Sequence, residues 1–157
     1  MKMKLVFAVM MVVAMSACQP TVGKLYPVKG PLAAQTPMPV YIVKVTGGRS
    51  GTYTITVSGG EVCKGTWTRV PSITGAPAGG DSTNDSTASI WDMVYGPGYY
   101  VAHVLGSKIY DRGVAAGSRG TVLDVEMFVA EAGGEHTPSV MKGVAKDNQG
   151  NIYKLAF

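Results

Sequence analysis

Few side chains in this 157-residue sequence are able to do chemistry. The nucleophile and base candidates are Cys18, Cys63, His103 and His136. A cysteine nucleophile needs its thiolate stabilised by a nearby base or a helix N-terminus. Cys63 lies in EVCKGTW, a run of strand character that offers neither. Asp92 and Asp111 would complete a hydrolase set with Cys63 and His103, but only if the fold brought the four together. Asp124 and Glu126 stand two apart, so a strand places both on one face, where a solubilising role is expected over acid–base work. DSTNDST offers oxygen ligands at Asp81, Asn84 and Asp85, yet lacks the spacing and distal glutamate of a calcium loop and reads as a surface loop. No catalytic, cofactor or metal-binding residues are assigned from these patterns.

Cys18 has a different setting. Lys2 and Lys4 precede Leu5 to Met15, an uncharged apolar run of 11 residues, against about 20 needed to cross a bilayer as a helix. A basic head, a short apolar segment and small residues behind it form the pattern of a secretory signal peptide. The stretch Met15-Ser16-Ala17-Cys18 then resembles the lipobox of bacterial lipoproteins, with Met15 where leucine is usual. The resemblance implies that residues 1–17 are a signal cut before Cys18, whose thiol carries diacylglycerol and whose freed amine is acylated. Two or more acyl chains hold stably, since each buried methylene adds about 0.8 kcal/mol. Gln19 stands where an aspartate would imply inner-membrane retention. The expected location is therefore the cell envelope, at the outer membrane facing the periplasm if the source is Gram-negative.

The mature chain, 18–157, suits one domain. Removal of Lys2 and Lys4 takes the formal charge from +4 to +2. Arg49, Lys64, Arg69, Lys108, Arg112 and Arg119 are scattered along the sequence, so a nucleic-acid partner is not expected. Charged residues are 15% and glycines number 21, which favours strands and turns. Residues 18–39 hold five of the nine prolines and read as a lipidated N-terminus and tether, extending up to ~65 Å at about 3.1 Å per residue. The alternative is that Leu25, Tyr26, Val28 and Leu32 dock on the domain.

From residue 40 to 157 the pattern is that of a β-rich domain. Tyr41, Val43 and Val45 share one face, as do Tyr53, Ile55 and Val57. A three-residue Ser58-Gly59-Gly60 loop, with a glycine in the left-handed region, sets Ile55 beside Cys63 and points that thiol into the core. Between residues 84 and 96 the spacing of Ala88, Trp91, Val94 and Tyr95 predicts one short helix, stopped by Gly96 and Pro97. YYVAHVL reads as a central strand with His103 on an apolar face, a helical turn being the alternative. Leu123, Val125, Met127 and Val129 alternate inward, and Tyr153, Leu155 and Phe157 close the chain. That ending resembles the last strand of outer-membrane β-barrels, but the chain has too few strands of about 10 residues and no aromatic girdles. The expected fold is mainly β: a small antiparallel sandwich or partly open barrel of six to eight strands with one short helix.

These readings lead to an envelope lipoprotein whose β domain is non-enzymatic and binds or scaffolds another envelope component, protein or glycan. The alternatives are a hydrolase built from Cys63, His103, Asp92 and Asp111, or a carrier of a small apolar ligand or lipid, which would need a cavity inside the domain.

Overall fold

The computed structural model describes residues 20–71, 87–105, 107, 109–134 and 139–157. Alternating apolar residues produce eight strands: β1 (Thr21–Lys29), β2 (Tyr41–Gly47), β3 (Ser50–Thr56), β4 (Val62–Pro71), β5 (Ile109–Gly117), β6 (Val122–Glu131), β7 (Val140–Asp147) and β8 (Ile152–Ala156). Each pairs antiparallel with its sequence neighbours, and β1 pairs with β8, so the sheet closes into an up-and-down barrel. The mainly β expectation holds, and closure leaves no free strand edge.

Eight strands enclose a space that side chains can fill. Leu25, Tyr41, Val43, Tyr53, Ile55, Trp67, Leu123, Val125, Met127, Tyr153 and Leu155 pack together inside. A carrier would require an apolar cavity where these side chains sit. Bulky rings fit because the facing positions are small: Tyr53 lies opposite Gly65, and Gly65 opposite Ala115. A Cβ at Gly65 would run into the Val114 carbonyl. The β3–β4 loop has the expected three residues, with Gly59 at φ 72° and Ile55 opposite Cys63, which is buried in the core.

Outward positions of β1 to β4 include Lys24, Lys44, Thr52, Thr54, Thr56 and Lys64. A membrane-spanning barrel would need an apolar band there. Among the described residues no helix is long and apolar enough to cross a membrane.

The tether expectation for 18–39 is corrected. Thr21–Lys29 is a barrel strand, and Pro31–Ala34 forms a single 3-10 turn. Leu25 is fully buried, and Pro27 is accommodated where the β1–β8 register shifts before Lys29. A buried polar cluster locks this end. The Asp147 carboxylate accepts from the Asn151 backbone N–H at 2.8 Å and the Tyr153 hydroxyl at 2.6 Å, while Asn151 Oδ1 accepts from Leu32 N–H at 2.9 Å. The domain therefore begins near residue 21 rather than at 40.

Helix α1 (Thr87–Tyr95) falls within the predicted span. The segment after it is not a strand. Tyr100–Val104 makes one wide helical turn, closed by Leu105 N–H donating to Tyr100 C=O at 2.9 Å. Both pieces lie on the outside of the barrel, where Ile90, Trp91 and Val104 bury Phe128, Val144 and Ile152.

Candidate functional site

The helical layer assembles the outer-face chemistry. Trp91, Tyr95 and Tyr99 form a set of near-parallel rings, with centroids 5.4 Å (Trp91–Tyr95), 4.8 Å (Tyr95–Tyr99) and 6.2 Å (Trp91–Tyr99) apart. Phe128 meets Trp91 edge-on at 5.5 Å, and His103 extends the set from Tyr99 at 4.4 Å. Lys142 Nζ sits 5.6 Å from the Tyr99 ring centre, and Lys154 Nζ 5.3 Å from that of Tyr95, within cation–π range. The Tyr95 hydroxyl donates to the carbonyls of Gly143 at 3.0 Å and Leu155 at 3.2 Å, and burial pushes its pKa up to about 12. Tyr95 is thus fixed, while Tyr99 is half-buried and His103 exposed at the outer end.

Beside the first turn of α1, a cavity of about 180 Å³ opens between Thr87, Ile90, Arg112, Asp124, Glu126 and Lys146. Glu126 is buried there, accepting from Trp91 Nε1–H at 3.1 Å and the Thr87 hydroxyl at 3.4 Å, with Arg112 Nε 3.5 Å away. Burial outweighs these partners and raises the Glu126 pKa. The solubilising face expected for Asp124 and Glu126 is corrected for Glu126: α1 covers it, whereas Asp124 stays exposed. Opposite charges around a small cavity with Ile90 and Val144 in its wall can hold a polar group against an apolar one.

The other candidates are dispersed. Cys63 is inside the barrel, where burial, with Glu61 nearby, pushes its thiol pKa up and keeps it a thiol. His103 is outside and exposed, not on a core face, because a helical turn replaces the strand alternation that would have buried it. Asp92 Oδ1 accepts from Tyr100 N–H at 2.8 Å, joining the two helical pieces. Asp111 points inward at the far end of β5 from Gly117, the partner of Cys63, and is bidentate to Arg69 at 2.9 and 3.3 Å. That separation is about 20 Å along the strand. The hydrolase set therefore does not meet.

Val129, expected inward, is 43% exposed near the end of β6. Cys18, His136, Asp81, Asn84 and Asp85 lie outside the described residues, and among the described residues no group of metal-binding side chains occurs. Sequence reasoning missed Tyr99, Lys142 and Lys154 as members of one surface. The four-residue spacing of Trp91, Tyr95, Tyr99 and His103 carried that signal, but Gly96-Pro97-Gly98 interrupts it.

No protein-family model matches the chain, and neither a curated protein nor a solved structure matches it.

Proposed function

We propose that this chain is a cell-envelope lipoprotein, held by lipid on Cys18, whose non-enzymatic barrel binds another envelope component, protein or glycan, through its helix-covered side. The observation that carries this reading is the aromatic set ending in half-buried Tyr99 and exposed His103, with Lys142 over the Tyr99 ring. Aromatic faces with a fixed cation suit both sugar rings and protein side chains, and they concentrate contact area at little entropic cost. Rigid support from Trp91 and from Tyr95, bonded to the β7 and β8 backbone, means that little ordering is left to do on binding.

Two measurements test it. A photo-crosslinking residue at Val101, which is 68% exposed beside this patch, should capture an envelope protein or glycan in intact cells. The same capture should fall at least tenfold when Tyr99 and His103 are both alanine. Crosslinking that is unchanged by that double substitution would overturn the site. The Cys18→Ser variant should leave the membrane fraction, and its retention there would overturn the anchor.

A further inference from the structure

The barrel brings three lysines that are twenty residues apart in the sequence onto one side. Lys24 on β1, Lys44 on β2 and Lys64 on β4 all point outward and are exposed. Register places Lys44 level with Thr54, and Thr54 level with Lys64, while Lys24 is diagonal to Lys44 across Ile42. Diagonal neighbours lie about 7–8 Å apart, and positions two strands apart about 10 Å. The next outward lysine round the barrel, Lys154 on β8, stands level with Tyr26 but lies over the Tyr95 ring and belongs to the helix-covered side. The outward positions of β1, β2, β3 and β4 hold no carboxylate. Instead, the outward acidic residues Asp124 and Glu126 are on β6, four strands from β2 in an eight-strand cycle and so diametrically opposite it. The β1–β4 side thus carries lysines without acids, whereas the outward positions of β5–β8 carry both signs, Arg112, Lys142, Lys146 and Lys154 beside Asp124 and Glu126. Among the described residues the helical layer packs on β6–β8 and not on the lysine wall.

The proposed point of attachment is close to that wall in sequence. Only Gln19 and Pro20 separate Cys18 from Thr21, the first residue of β1. Three residue steps span at most about 11 Å, so a lipid on Cys18 brings the β1 end of the wall to the headgroup layer.

We infer that the β1–β4 wall is a docking face for an anionic bilayer surface, with Lys24, Lys44 and Lys64 as its contacts. This rests on the anchor reading of Cys18 and adds an orientation to it. Among the described residues no carboxylate forms an ion pair with these lysines, and neighbours in the row, at about 7–10 Å, repel one another within a Debye length, a cost that anionic headgroups convert into attraction. Each lysine near such a surface shifts the docking equilibrium about fivefold, and three together on the order of a hundredfold. Exposed Val22 and Ile42 in the same wall add apolar contact at the interface. With β1–β4 on the membrane, the aromatic set and the Glu126 cavity face away from it.

The test uses the full, lipidated protein reconstituted in vesicles of phosphatidylethanolamine and phosphatidylglycerol, and in vesicles of phosphatidylcholine alone. Amine labelling by a water-soluble acylating reagent, read by peptide mass spectrometry, should be at least about fivefold slower at Lys24, Lys44 and Lys64 in the anionic vesicles. Lys146, on β7, should label equally in both. Raising salt to 0.5 M should remove most of the protection. K44Q, which keeps the chain anchored, should weaken the protection of Lys24 and Lys64. Equal labelling in both vesicles, with Cys18 lipidated, would overturn the docking alone. A chain that carries no lipid on Cys18 overturns the anchor and the docking with it. Protection produced only by an added anionic polysaccharide such as heparin would overturn the lipid assignment.

Discussion

Burial under Trp91 makes Glu126 a carboxylate that keeps its proton to higher pH than an exposed one. Desolvation penalises the charged form more than Trp91, Arg112 and Thr87 repay. The native pKa is raised above the unfolded one, so the stability linked to this proton is fully present below the unfolded value, near 4.3, and is lost as pH rises through the native value. E126Q keeps an acceptor for Trp91 without an ionisation. Its stability relative to wild type should therefore improve between pH 4 and pH 8 in urea titrations. Parallel pH curves, or a relative loss at pH 8, would mean that Arg112 controls the site. Cys63 gives a second outcome at this scale. A thiol with no exposure inside a barrel, its pKa raised by burial, should react with a neutral thiol reagent only on unfolding. Native labelling within seconds would contradict the packing. Its burial was legible in the sequence because hairpin register follows from which face must be apolar, and only the three-residue loop satisfied that. The environment of Glu126 was not legible: a strand's alternation says which way a side chain points, and nothing about what later packs over it.

Helix α1 is held by one residue more than by any other. Trp91 has no exposure, contacts Tyr95, Tyr99 and Phe128, and supplies a donor to Glu126. Nine residues are too few for a helix to be stable alone, so its order depends on this tertiary contact. W91A should cost about 3–5 kcal/mol in chemical denaturation and leave Glu126 without its indole donor. A loss below about 1 kcal/mol would show that α1 is held elsewhere. Strands β2, β3, β6 and β8 were readable because their inward residues alternate with a period of two, although Val129 near the end of β6 is exposed and the outward Glu126, Phe128 and Ile152 are covered by the helical layer. Tyr99–Leu105 was misread because a short run apolar on both faces satisfies strand and helix alike. What decides it is Asp92, which caps Tyr100 N–H from the preceding helix, and a cap across Gly96-Pro97-Gly98 leaves no periodic trace.

At the scale of the whole barrel, the first strand determines whether there is a barrel at all. Prolines at 20, 27, 31, 37 and 39 made 18–39 read as a tether, because proline usually interrupts a sheet. The alternation of Gly23, Leu25 and Pro27 inward was present beneath that composition, and Pro27 is tolerated at a register shift. The two readings make opposite predictions about deletion. A tether is dispensable to folding, so a chain joined from Gln19 directly to Val40 would keep its stability. A closing strand is not. Without β1 the facing edges of β2 and β8 lose their partner, Leu25 leaves the core, and Asn151 loses the Leu32 N–H that it accepts. Open edges flanking an exposed apolar interior also favour association between chains. Deleting residues 20–39 should therefore abolish the cooperative unfolding transition and yield aggregated protein. Inserting ten Gly/Ser residues between Pro20 and Thr21, by contrast, should leave the urea midpoint unchanged, since the loop is added outside the barrel. A cooperative transition near the wild-type midpoint in the deletion would restore the tether. It would also put a flexible spacer between Cys18 and the β1–β4 wall, and so remove the constraint that sets that wall against the membrane.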